Sequence, residues 1–110
     1  MTDPIIERNS RLAEIVRRLV AAYQPERIYL FGSTARGDAN ENSDYDLMVV
    51  VPDDAPPELR DSDLAYMVLR GIGVAADVLV WTRSRFNRRV HVVASLPATI
   101  LREGRLLHAA

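Results

Sequence analysis

The chain has no lysine and no cysteine; all 14 of its basic residues are arginine. Without lysine there is no P-loop, whose glycines are followed by one, and no Schiff-base chemistry. Without cysteine, disulfides, thiolate nucleophiles and Cys-ligated zinc are excluded. Long apolar runs are missing too, and none approaches the ~20 residues of a membrane-spanning helix. The opening "MTDPIIERNS" has no basic segment followed by an apolar core, so no signal peptide is expected and a cytoplasmic location is. Charge of either sign is not in excess, with a formal net of -1. No membrane or nucleic-acid partner is therefore expected, and direct nucleic-acid binding least of all.

What is present suits one packed unit. The 110 residues are 48% hydrophobic, enough for a single core over 1–110. Apolar residues from Ile5 to Tyr23 recur at helical spacing, so the pattern predicts a helix over 4–23 with Asp3 as its cap and Pro4 in its first turn. "RIYLF" (27–31) reads as a short strand ended by Gly32-Ser33. A single helical turn is expected over 34–36, then a loop over 37–43. The run 45–51 is almost wholly apolar, which predicts a strand covered on both faces. A second helix is expected over 58–70, with Leu59, Leu64, Met67 and Val68 available to the core. A third strand follows over 74–81, then helices over 84–95 and around Pro97, and "RLLH" as a short edge strand. The first two strands are joined too closely for a crossover and should be antiparallel; the helix between the second and third implies a parallel pair. The expected fold is α/β (α+β), a small mixed sheet flanked by helices.

The feature that needs explaining is acid in apolar strands. Asp44 and Asp46 are two apart at the head of the second strand, so they project to one side. Asp77 interrupts the third. If that strand is the neighbour, three carboxylates converge near the centre of the sheet. A lone D-x-D ordinarily caps a turn with its charges in water. The chain carries such a copy at Asp61 and Asp63, where a helix would point the two acids about 200° apart. The first copy differs in following Gly32-Ser33 and in having a third acid available. Clustered carboxylates are tolerable when they hold divalent cations, and Mg²⁺ binds one or two of them together with substrate phosphates. Two such ions about 3.5–4 Å apart suit in-line displacement at phosphorus. Gly32 would let a phosphate approach the backbone, Ser33 offers a hydroxyl and backbone N–H groups, and Arg36 could pair with a phosphate oxygen.

Gly32-Ser33, ten intervening residues, then Asp44-x-Asp46, within "FGSTARGDANENSDYDLMVV", resembles the signature of the DNA polymerase β-like nucleotidyltransferase superfamily. The fuller string resembles its small branch, the minimal nucleotidyltransferase domain proteins, and the resemblance spans essentially the whole chain. It implies a polymerase β-like nucleotidyltransferase core. It implies that Gly32 and Ser33 hold the triphosphate of an NTP and that Asp44 and Asp46 ligate two Mg²⁺. Asp77 would be the third carboxylate, ligating one ion and helping to activate the attacking hydroxyl; Arg36 would contact phosphate. Many such proteins are antitoxins paired with an HEPN-domain ribonuclease toxin, and can move AMP from ATP to a tyrosine of that toxin. The resemblance thus implies ATP as substrate and an HEPN toxin as partner, in a homo- or hetero-oligomer. Other readings are neutralisation of the toxin by binding alone, or a subunit acting on a small molecule or nucleic acid.

Two further patterns carry less. Arg85 with His91, and Arg102 with His108, match the short R-x₄₋₆-H pattern of HEPN ribonucleases, but those domains resemble all-helical bundles and this chain bears strands. The cluster Arg83, Arg85, Arg88 and Arg89 around Phe86 follows the Asp77 strand and is expected near the site or on a solvated helix face. Trp81 is expected in the core or an interface.

Overall fold

The computed structural model describes residues 2–37 and 44–110. The predicted loop over 37–43 therefore lies, apart from Gly37, outside the described residues. Four strands form one mixed sheet in the order β3-β2-β1-β4: β1 (Arg27–Phe31), β2 (Tyr45–Val51), β3 (Ala76–Thr82) and β4 (Arg105–Ala109). β1 runs antiparallel to β2 and to β4, and β2 runs parallel to β3. Both expected directions hold. β3 is an edge strand, however, so Asp77 is at the margin of the sheet and not at its centre.

Alternation along β2 builds both faces of the core. Leu47, Val49 and Val51 point to one side, where they pack with Ile28, Leu30, Val78 and Val80 under helix α1 (Ser10–Tyr23) and helix α3 (Asp63–Val68). Met48 and Val50 point to the other, against Tyr29, Phe86 and Ile100. Phe86 comes from α4 (Arg83–Asn87) and Ile100 from α5 (Leu96–Glu103). With both faces covered, the strand has room for a polar residue only at its partly exposed start, where Asp46 is the second residue.

Three helices differ from the periodicity, each for a local reason. The predicted helix over 4–23 is two pieces, a 3₁₀ turn over Pro4–Glu7 capped by Asp3, then α1. Asn9 separates them, because its side chain accepts the Leu12 N–H at 3.0 Å and starts a new helix. The helix over 58–70 is likewise a 3₁₀ turn, Pro57–Leu59, followed by the shorter α3. Asp61 precedes α3 and accepts the N–H of Asp63 at 3.0 Å, so this second D-x-D is a turn and not two faces of a helix. Met67 is 63% exposed, and Ala65 and Leu69 take the core positions instead. The helix over 84–95 stops at Asn87. Beyond it Val92 and Val93 are exposed, so nothing is gained by extending a β-branched run as helix.

Candidate active site

The site is built where three strand ends meet. β1 ends at Phe31, whose register partner on β2 is Asp46. Asp46 is in turn the register partner of Asp77 on β3. Parallel register partners point the same way, so both carboxylates leave the sheet on the side of Met48 and Leu79. Asp44 is exposed, two residues ahead of Asp46.

The chain turns directly from β1 into α2 (Gly32–Arg36), and Gly32 makes that turn at φ +73°. A Cβ at Gly32 would fall 2.3 Å from Oδ2 of Asp46, closer than any side chain tolerates. Only glycine allows both the positive φ and this approach of a carboxylate to the backbone. α2 is fastened from behind. Arg105 on β4 donates from Nε to the Ala35 carbonyl at 2.9 Å, and its guanidinium pairs with Asp3 at 3.2 Å. The end of the sheet therefore fixes where Ser33, the second residue of α2, stands relative to Asp46.

Electrostatics mark Asp46 as the stressed member. Partial burial pushes its carboxyl above the usual range, and the charges of Asp77 and then Asp44 push in the same direction. Arg36, at the end of α2, opposes them. Asp77 is exposed and accepts a hydrogen bond from the Tyr66 hydroxyl at 3.3 Å. Among the described residues, no three His, Cys, Asp or Glu side chains gather closely enough to hold an ion by themselves. A pair of hard carboxylate oxygens in register, with a third nearby, suits Mg²⁺ that takes its remaining ligands from substrate phosphates and water.

The arginine cluster lies elsewhere. Arg83 is six residue steps beyond Asp77, just past the end of β3, about 20 Å away at the usual strand rise. Arg83 pairs with Glu26 at 2.6 Å, and Phe86 is fully buried, stacked on Tyr29. The Arg85 guanidinium lies 4.1 Å from the centre of the Trp81 ring, and Arg85, Arg89 and Trp81 help to line a cavity of about 370 Å³. Of the two places expected for this cluster, the structure gives the solvated one: Arg83, Arg85, Arg88 and Arg89 are all exposed. Tyr66 was not foreseen at all. It reaches Asp77, on the edge strand β3, from α3, a meeting that depends on strand order and leaves no local pattern.

A sheet with this order, carrying acids on adjacent strands beside a glycine-led turn, defines a nucleotidyltransferase fold. A model of the nucleotidyltransferase domain matches residues 10–107, and the chain belongs to that family. Its class of activity is nucleotidyl transfer. The chain is 33% identical over 99 residues to "Putative protein adenylyltransferase MJ0604" of Methanocaldococcus jannaschii, covering 88% of this chain and 94% of that protein. It is similar to the crystal structure of "a putative nucleotidyltransferase from Sulfolobus solfataricus", with 27% identity, TM-score 0.54, and 72% and 70% of the two chains covered. A structure described as "the toxin-antitoxin with AMP-PNP" shares the fold at TM-score 0.57 and 23% identity, over 88% of this chain and 73% of that one. No helix among the described residues is long and apolar enough to cross a membrane.

Proposed function

We propose that this chain, with residues 1–110 acting as one catalytic unit, transfers AMP from ATP to a tyrosine hydroxyl of a partner protein, an HEPN-type ribonuclease toxin, and so acts as its antitoxin. The observation that carries the reading is the register pairing of Asp46 with Asp77 beside the Gly32 turn. Two like charges held side by side cost stability unless a ligand uses them. The adenylyl group and the toxin partner are supported by what the relatives are called: a protein adenylyltransferase, and a toxin–antitoxin pair with an ATP analogue.

In this reading Gly32 and the Ser33 hydroxyl and N–H groups hold the triphosphate, with Arg36 as a further phosphate contact. Asp44, Asp46 and Asp77 would hold two Mg²⁺, which when bound neutralise the charge of the reacting phosphates. Asp77 orients the acceptor hydroxyl and takes its proton. The acceptor oxygen bonds to the α-phosphorus, the bond to the β-phosphate oxygen breaks, and pyrophosphate leaves.

The test is to incubate the protein with labelled ATP, Mg²⁺ and the product of the adjacent gene. AMP is expected on a tyrosine of that product, with the rate falling at least about a hundredfold in Asp44→Ala and Asp46→Ala. Label that persists in both variants would sink the mechanism. A neutralised toxin without any AMP transfer would assign the protein to inhibition by binding alone.

A further inference from the structure

We infer that Tyr66 of this chain is itself an acceptor: the site can move a nucleoside monophosphate onto its own Tyr66 hydroxyl. The inference rests on the nucleotidyl-transfer reading above and names a substrate of that same site. Its basis is the hydrogen bond from Tyr66 Oη to Oδ1 of Asp77, 3.3 Å long. A hydroxyl that is to attack phosphorus must stand within hydrogen-bond reach of the carboxylate that takes its proton. Such contacts are commonly somewhat long before the substrate is bound. Tyr66 meets this condition, and Asp77 is the register partner of Asp46, beside which the phosphate would lie.

Presentation of the ring is equally suited. Tyr66 is 50% exposed, so its hydroxyl is not tied into the core. The backbone next to it is held firmly. Tyr23, which is buried, accepts the N–H of Ala65 at 2.9 Å and donates to the Asp61 carbonyl at 2.7 Å. The start of α3 is thereby locked to α1, while the exposed Tyr66 side chain reaches Asp77 on the edge strand β3. A pinned backbone that presents an exposed phenol to the base is the arrangement that intramolecular transfer requires.

The step balances without any further reactant. The Tyr66 oxygen forms a bond to the α-phosphorus of the NTP. The α–β phosphoanhydride bond breaks, pyrophosphate carries away the electron pair, and the phenolic proton passes to Asp77. The product is a tyrosyl phosphodiester of the nucleoside. Its bulk would then stand at the acceptor position and block entry of a partner's hydroxyl.

The experiment uses the full chain with no partner. Intact mass is measured on the protein as purified from ATP-containing cells, and again after incubation with ATP and Mg²⁺. The expected result is a gain of one AMP per chain, mapped by peptide sequencing to Tyr66 and removed by phosphodiesterase. Its rate should not depend on protein concentration. Tyr66→Phe should carry no adduct, and Asp77→Asn should form it about a hundredfold more slowly. An adduct on another residue overturns the inference. So does a rate that rises with protein concentration, which would make the acceptor a second copy. If the wild-type chain never labels itself yet transfers AMP to its partner, the self-acceptor falls and the function above stands. If neither acceptor is labelled by chain that circular dichroism shows to be folded, both fall.

Discussion

Gly32 is the residue on which the site's geometry turns. Its φ of +73° and the 2.3 Å separation of a virtual Cβ from the Asp46 carboxylate are two independent objections to any side chain. Gly32→Ala is expected to cost about 1–3 kcal/mol of stability from the backbone alone. It should also cost about a hundredfold in transfer rate, because an ångström of displacement at a reacting group has that effect. Urea unfolding and the AMP-transfer assay measure the two losses separately. A Gly32→Ala protein with unchanged transfer would show that the close approach is irrelevant to the chemistry. "GS" before a loop and "DYD" after it are legible in the sequence as a pair of unusual features. That the glycine makes room for Asp46 in particular follows from the pairing of Phe31 with Asp46.

At the scale of elements, the link between α1 and α3 supports the site from outside it, as Arg105 does behind α2. The Tyr23 hydroxyl satisfies two backbone groups of the segment entering α3. Tyr23→Phe leaves a buried N–H and a carbonyl without that partner. It should lower the unfolding free energy by about 1–3 kcal/mol with little change in the urea m-value. A loss below about 0.5 kcal/mol would mean that water replaces the hydroxyl. Arg18 adds to the same junction, donating to the carbonyls of Val68 and Arg70 at 3.1 and 3.2 Å. Strands were the elements most readable from sequence. β1 and β2 have the expected limits, since a short apolar run between turn residues has few alternatives. Helices were overextended, because periodicity says where a helical face could continue and not where Asn9 or Asp61 captures a backbone N–H first.

Stability as a function of pH belongs to the whole molecule. Burial first, and then Asp77 and Asp44, raise the carboxyl of Asp46 in the folded state above its unfolded value. The folded state thus binds the proton more tightly. Its contribution is present below about pH 4, the ordinary carboxylate value, and is lost as pH rises through the raised one. At neutral pH the ionised Asp46 is a net cost. Asp46→Asn is therefore expected to melt at a higher temperature than wild type at pH 7, without nucleotide or divalent cation, while losing transfer. The difference should close as pH falls below about 4. Thermal melts across this range check it, and a variant that melts lower at pH 7 would contradict the assignment of strain to this carboxylate. Such an exchange of stability for function is expected where charges are gathered for a ligand.

The sequence by itself determined the strand pattern, the antiparallel and parallel senses, and the motif by which the chain resembles a nucleotidyltransferase. These depend on local periodicity, loop length and residue chemistry, all of which are written along the chain. Tertiary structure alone decided three things. It set β3 at the edge, seated Asp46 against Gly32, and brought Tyr66 to Asp77 while sending the arginine cluster to the far end of the same strand. Each depends on which strand lies beside which, and that is settled by the summed burial of two core faces, which no short stretch of sequence encodes.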